Sequence, residues 1–257
     1  MAVIRPLILV PSYNTGPILF QTIIDILMFE TPVWVVIDGS TDQSEKLIET
    51  IYHHQLRIIV TEKNEGKGAA ILHGLRQAVV EGFSHVLTID ADGQHPAECI
   101  PNFLRLSASH PQAAIFGRPI FDSSAPALRV RGRKISNFWT NLETLGWGVD
   151  DSLFGMRVYP ADELLAVFES TPYARRFDFD TEVAVRLAWR QVPIINLPTP
   201  VCYPSVAQGG VSQFRYVRDN LLLTGMHFRL MFGFLLRFPW LLLRDGNPLE
   251  SSNPSSR

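Results

Sequence analysis

Cysteine is nearly absent from this chain: two residues in 257, Cys99 and Cys202. Two thiols build no disulfide framework, and no His/Cys spacing suits zinc, so a reducing compartment is expected. A charge imbalance is missing as well. Lys and Arg number 23 against 25 Asp and Glu, a formal net charge of −2. That balance gives no reason to expect nucleic acid as a partner. The first apolar run, Leu7 to Val10, stops at Pro11 without a small-residue cleavage site, so no secretory leader is expected. Internal repeats, a low-complexity core and a clear interdomain linker are also lacking. What remains is a chain that is 46% hydrophobic and long enough to bury a sizeable core without staples.

The first 117 residues alternate strand and helix signals. Short apolar runs at Leu7–Val10, Val33–Ile37, Arg57–Thr61, Val86–Ile89 and Ala113–Phe116 predict strands. Between them, helices are predicted over Pro17–Phe29, from a Ser40 or Thr41 cap to about His53, over Gly66–Val80, and from Pro96 to just before Pro111. Strands without polar alternation are buried on both faces, and helical crossovers make them parallel. Ligands then sit beyond the carboxyl ends of the strands. Four of the five segments found there carry charge: Asp38–Asp42, Glu62–Gly68, Asp90–His95 and Gly117-Arg118; the first, Pro11-Ser-Tyr-Asn14, is polar. Further on, the pattern predicts a basic helix over Leu128–Leu145, a helix ending near Arg190 and a strand at Pro193–Leu197.

Asp90-Ala-Asp92 carries the strongest chemical signal. Two carboxylates at the mouth of a buried sheet repel one another and lose solvation. A hard divalent cation resolves both problems, completing its shell with substrate phosphates, and Gln94 adds a neutral oxygen. No basic residue is expected nearby to neutralise the pair. The plainer alternative is an acidic cluster at a helix start. Asn64-Glu-Gly-Lys-Gly68 is Gly-rich and opens a helix, as anion sites do, but lacks P-loop spacing. Its alternative is an ordinary turn. Asp38 suits a ribose or base edge, with a turn-and-cap reading beside it.

Taken together, the chain resembles the family 2 glycosyltransferases of GT-A fold, in the branch of polyprenol-phosphate (dolichol-phosphate) sugar transferases. The resemblance runs from about Leu7 to Phe214. It rests on the motifs at 11–14, 38–42, 64–68, 90–95 and 117–118, and on Asp-x-x-x-Gly-x-Arg at 151–157, Phe-Asp-Thr-Glu at 179–182 and Gly-Gly-x-Ser-x-Phe at 209–214. It implies a Rossmann-like, mostly parallel sheet flanked by helices, and an inverting, metal-dependent transfer from a nucleotide-diphosphate sugar. Asp90, Asp92 and Gln94 would hold Mg²⁺ or Mn²⁺. Pro11, Tyr13 and Asp38 would line the nucleoside pocket, with Lys67 and Asp90 counted on the donor side. Asp151 would face the acceptor as candidate general base, and Arg118, Arg131, Ser212 and Gln213 would close over phosphates. The chain departs from the family in three places: Ile37 replaces one of the usual acidic pair, Thr15 stands where Glu often follows Tyr-Asn, and Met156 replaces Phe.

The end of the chain divides the expectations. Leu221 to Leu243 is apolar but interrupted by His227, Arg229, Arg237 and Pro239. That pattern suits an amphipathic helix lying on a membrane better than a spanning one. Leu221, Leu222, Met226, Leu230, Phe234 and Phe238 would enter the lipid, with Arg218, Arg229, Arg237 and Arg244 facing headgroups. The expected division is a transferase domain at 1–215, this helical appendage at 216–246, and a disordered tail at 247–257. The expected setting is the cytoplasmic face of a membrane, with a lipid-phosphate acceptor, in the synthesis of bacterial envelope glycans or glycolipids. A core-covering helix, a homo-oligomer contact, a soluble glycan or protein acceptor, and a catalytically impaired membrane adaptor are the competing readings.

Overall fold

The computed structural model describes residues 4–121, 127–202, 216–244 and 246. Among the described residues, seven strands form one sheet: β1 (Pro6–Ser12), β2 (Val33–Asp38), β3 (Leu56–Thr61), β4 (His85–Thr88), β5 (Ala114–Ile120), β6 (Arg157–Pro160) and β7 (Ile194–Pro200), in the order β3-β2-β1-β4-β6-β5-β7. Every pairing is parallel except those of β6, which runs antiparallel to both β4 and β5. The helices are α1 (Pro17–Leu27), α2 (Ser44–Ile48), α3 (Lys67–Val80), α4 (Ile100–Ser109), α5 (Ala127–Glu143), α6 (Ala161–Glu169), α7 (Phe179–Trp189) and α8 (Tyr216–Leu242).

The central strands β1, β2, β4 and β6 are buried on both faces, as their apolar runs require; β3, expected to be buried likewise, is an edge strand whose Arg57 and Val60 are exposed. Leu7 and Leu9 of β1 join Trp34 and Val36 of β2 against α3, α6 and α7. Ile8 and Val10, pointing the other way, join Val33, Val35 and Ile37 against α1 and α4. The sheet thus follows the expected GT-A-like plan, and two details differ. β6 and α6 had no counterpart in the sequence reading, because a four-residue strand beginning with Arg and ending with Pro carries no periodicity. The helix expected from a Ser40 or Thr41 cap starts later, at Ser44, and is short. Gln43 takes a left-handed backbone conformation (φ 60°), and the Ser44 amide donates instead to Asp42 Oδ1 at 3.1 Å. Ser40 and Thr41 bind Asn14, through its amide and its side-chain oxygen.

α8 is docked on the sheet domain, by a different face from the one expected. Met226, Leu230, Phe234 and Leu241 are buried against Val185 and Trp189 of α7. Such side chains contribute about 1.5–3 kcal/mol each on burial. His227 Nδ1 lies 3.0 Å from the buried Glu143 of α5. Arg229 pairs with the buried Glu182 of α7. Arg244 donates to the carbonyls of Thr144 and Ala188 and covers the Trp147 ring at 4.2 Å. Arg229 and Arg244 therefore serve protein contacts, not headgroups, and Met226, Leu230 and Phe234 face protein, not lipid. The physical reason is the buried carboxylate: Arg186 of the same helix meets one oxygen of Glu182, and Arg229 supplies the cation for the other. The expected tail at 247–257 lies outside the described residues.

Candidate active site

The loops leaving β1, β2, β3 and β4 are tied together in turn. Asn14 holds the loop after β2 through Ser40 and Thr41. Asp38 reaches the next loop: its two carboxylate oxygens accept from the amides of Glu65 (3.0 Å) and Gly66 (2.7 Å). In the structure Asp38 is thus a buried anchor for the turn that opens α3. Pro11 is buried at the end of β1 and Tyr13 follows it half-buried.

Glycines explain where Lys67 goes. A Cβ on Gly68 would lie 2.0 Å from the Ala174 carbonyl oxygen. Gly66 adopts φ +111°, open to glycine, and its neighbours across the gap are Arg175 and Arg176. The start of α3 therefore packs on the segment before α7, and the Ala69 amide donates to Arg175 O at 2.9 Å. Lys67 is carried inward, with its Nζ 2.7 Å from both Asp90 Oδ1 and Asp180 Oδ2. The absence of a basic residue near the acidic pair, expected above, is overturned here. The lysine is 23 residues away in sequence, and only the crossover after β3 brings it to Asp90.

Burial alone would lower the Lys67 pKa, but Asp180 and Asp90 beside it raise it, so the ammonium is held charged. Burial would likewise push Asp90 up, and the Lys67 charge with the His95 hydrogen bond holds it well below the usual carboxylate range. Asp92 moves the other way, pushed up first by burial and then by the Asp90 charge. Its oxygens accept from the Gln94 amide at 3.1 Å and from Gln94 Nε2 at 2.7 Å. Asp92 is thus the member of the pair whose charge the protein leaves least compensated. That donor set fits a hard divalent ion, with Gln94 turning its amide to present oxygen. Among the described residues no three His, Cys, Asp or Glu side chains converge into a protein-only cage, so phosphate oxygens would have to complete the shell.

Asp151 lies on the neighbouring loop. Gly155 of that loop packs on Asp90, where a Cβ would come within 2.0 Å of Oδ2, and Thr88 Oγ1 donates to Gly155 O at 3.1 Å. Asp151 is buried. Its Oδ1 accepts from Arg133 at 2.5 Å and from the Leu153 amide at 2.9 Å, and its Oδ2 from Asn137 at 3.3 Å. Arg133, with Ser136, Asn137 and Thr140, lies on the inward face of α5, whereas Arg131 is exposed. Arg118, at the end of β5, is exposed and lies 3.5 Å from Asp150. Ser212 and Gln213 fall outside the described residues.

One further residue, Arg157, joins these loops into one cluster. Arg157 of β6 is fully buried, with its guanidinium 4.2 Å over the Phe116 ring. It donates to the carbonyls of Asp180 (2.6 Å) and Asp151 (3.1 Å). A continuous path therefore runs from Asp90 through Lys67, Asp180 and Arg157 to Asp151. Arg133, Asp180 and the bridging use of Arg157 were not singled out from sequence. One signal was available: Asp180 and Glu182 belong to the Phe-Asp-Thr-Glu motif and open a largely apolar helix, which implies buried partners.

Several known proteins are similar to this chain in sequence or in fold. The chain is 25% identical over 211 residues to an undecaprenyl-phosphate mannosyltransferase of Micrococcus luteus, covering 76% of this chain and 82% of that one. It is 21% identical to a UDP-N-acetylglucosamine–dolichyl-phosphate N-acetylglucosaminyltransferase of Methanococcus voltae, over 95% and 97% of the two chains. An uncharacterized Methanocaldococcus jannaschii protein is 29% identical over 140 residues, 53% of this chain and 59% of that one. Among solved structures, a mycobacterial protein superposes with a TM-score of 0.64 at 16% identity, covering 91% of this chain and 74% of that one. The family model for glycosyl transferase family 2 matches residues 7–163. That span holds β1 to β6 and the loops bearing Asp38, Lys67, Asp90 and Asp151, and the chain belongs to glycosyl transferase family 2.

Proposed function

We propose that this protein transfers a sugar, with inversion, from a nucleotide-diphosphate donor to a lipid-phosphate acceptor at a membrane surface. The observation that carries this reading is the path from Asp90 to Asp151, which joins the paired-carboxylate loop through Lys67, Asp180 and Arg157 to the main chain of the loop that bears a second buried carboxylate. The names of the relatives that align over three quarters of the chain or more support a nucleotide-sugar donor and a polyprenyl-phosphate acceptor.

Asp90 and Asp92, with Gln94, would hold Mg²⁺ or Mn²⁺. When bound, such an ion neutralises charge on the departing nucleoside diphosphate. Arg118, exposed at the end of β5, is available to a phosphate oxygen. Tyr13 and Pro11 border the nucleoside side, and Asp38 shapes it by fixing the 62–66 loop. Asp151 lies on the acceptor side, buried and paired with Arg133; a phosphate acceptor is already ionised, so its work there is to position rather than deprotonate. Single displacement needs no covalent nucleophile. A thermal-shift screen of nucleotide sugars with and without Mn²⁺ tests the donor half. The correct donor is expected to stabilise the protein by about 2.7 kcal/mol at a hundredfold excess over Kd, and the others much less. Labelled sugar should then enter an organic extract when polyprenyl phosphate is supplied. Label found in soluble glycan instead would favour the alternative acceptor, and donor binding without any transfer would favour an adaptor.

Membrane contact is assigned to the outward side of α8 and to α5. Leu221, Phe228, Phe232, Leu235 and Leu236 on α8, and Ile135, Phe138 and Leu142 on α5, are exposed apolar side chains. The two helices pack together, and Arg131 and Lys134 of α5 are exposed beside this apolar set. Each cation near an anionic surface contributes about 1 kcal/mol. Leu221–Leu242 is also long and apolar enough to cross a bilayer by length and composition. Crossing, however, would pull Arg229 from Glu182 and expose Met226, Leu230 and Phe234, so an interfacial placement on the cytoplasmic side is favoured. The test is Phe228→Ser with Phe232→Ser, which spares the docked face. Sedimentation with anionic liposomes should fall by tenfold or more while the melting temperature stays put. A chain that never co-sediments at low salt would remove the membrane from the reading.

A further inference from the structure

We propose that Lys67 is a built-in counter-cation that competes with a divalent ion for Asp90 and is taken over by Asp180 when the ion arrives. The proposal rests on the reading of Asp90 and Asp92 as ion ligands. Its basis is the symmetry of the bridge, in which one ammonium lies 2.7 Å from a carboxylate on either side. The two partners are not equivalent. Asp90 uses Oδ2 toward His95 at 3.4 Å and Oδ1 toward Lys67. Asp180 uses Oδ2 toward Lys67, and its buried Oδ1 has no hydrogen-bond partner among the described residues.

An ammonium carries three donors, so Asp180 has an acceptor in reserve for a second hydrogen bond from Lys67. Loss of the Asp90 contact would therefore leave the lysine paired and hydrogen-bonded inside the protein. Asp90 differs: its side chain is 28% exposed, so a cation arriving from solvent can reach it and take the place of the ammonium, whereas Asp180 is buried. The backbone under Lys67 is fixed by the packing of Gly66 and Gly68 on residues 174–176. The exchange is thus confined to the side chain. It follows that a bare divalent ion must displace Lys67 and binds weakly. The diphosphate brings the extra negative charge that favours the exchange, so ion and donor enter together.

The experiment is Mn²⁺ titration of the full chain, followed by electron paramagnetic resonance of the free ion, without nucleotide and with UDP or GDP. Lys67→Gln frees Asp90 and should tighten Mn²⁺ alone by tenfold or more. Asp180→Asn leaves Lys67 to Asp90 and should weaken Mn²⁺ alone several-fold. Opposite shifts in the two variants are not expected of a lysine that merely supports the fold. If wild type binds Mn²⁺ with UDP or GDP and Lys67→Gln binds the bare ion no better, the exchange is wrong and the ion site stands. If no Mn²⁺ is taken up under any condition, both fall. Should Lys67→Gln fail to give a wild-type circular dichroism spectrum, Asp180→Asn decides alone, and unchanged or tighter Mn²⁺ binding there overturns the proposal.

Discussion

Asp92→Ala is expected to lower donor turnover by about a thousandfold, the loss of several kcal/mol of charge stabilisation at the leaving group. The fold should survive, because the side-chain hydrogen bonds described for Asp92 are both to Gln94, two residues away. Removing Asp92 also lifts the like charge next to Asp90, so the melting temperature should hold or rise. The check is steady-state turnover of the donor identified by thermal shift, with Mn²⁺ and with EDTA, beside a melting curve. Wild-type turnover that persists in EDTA would mean the acidic pair works without an ion. Asp92→Asn separates charge from shape: it keeps an oxygen and should still lose most of the rate.

Asp151→Asn is the second large effect. Donor affinity should stay within about threefold of wild type while transfer falls by roughly a hundredfold or more, the range for loss of a positioned acid–base or orienting group. The structure adds a complication that sequence could not. Asp151 is paired with Arg133, whose side chain is largely buried, so the neutral variant leaves a guanidinium without its carboxylate and costs stability as well. The double variant with Arg133→Gln isolates the two effects. If it recovers the melting temperature without recovering transfer, the catalytic loss belongs to Asp151 itself. A single variant that transfers sugar at the wild-type rate removes Asp151 from the mechanism, and one that loses donor binding moves it to the nucleotide side.

The two variants draw on different layers of information. Asp92 could be named from order along the chain, since a D-x-D pair directly after a buried strand is a local pattern. The same holds for β1 to β5, whose apolar runs and intervening helices are short-range features, and for the general place of the site beyond the strand ends. Gly66 and Gly68 were visible as a Gly-rich turn, yet their use, a close approach to residues 174–176, depends on a contact more than a hundred residues away. α8 shows the same division. Its helical spacing was legible, whereas the direction of its faces was not, because either an interior or a lipid can take apolar side chains.

Sequence by itself determined the parallel α/β plan, the loops that bear Asp38, Lys67, Asp90 and Asp151, and the amphipathic end of the chain. Each of these is set by hydrophobic periodicity or by residue types within a few positions. Tertiary structure alone decided which charges meet. It put Lys67 between Asp90 and Asp180, Arg157 inside the sheet, Arg133 on Asp151, and Arg229 on Glu182. The reason is that a buried charge requires a partner but does not specify one. Which partner arrives depends on strand order, on an antiparallel β6 inserted between β4 and β5, and on which helix faces turn inward, and none of these is encoded by neighbours along the chain.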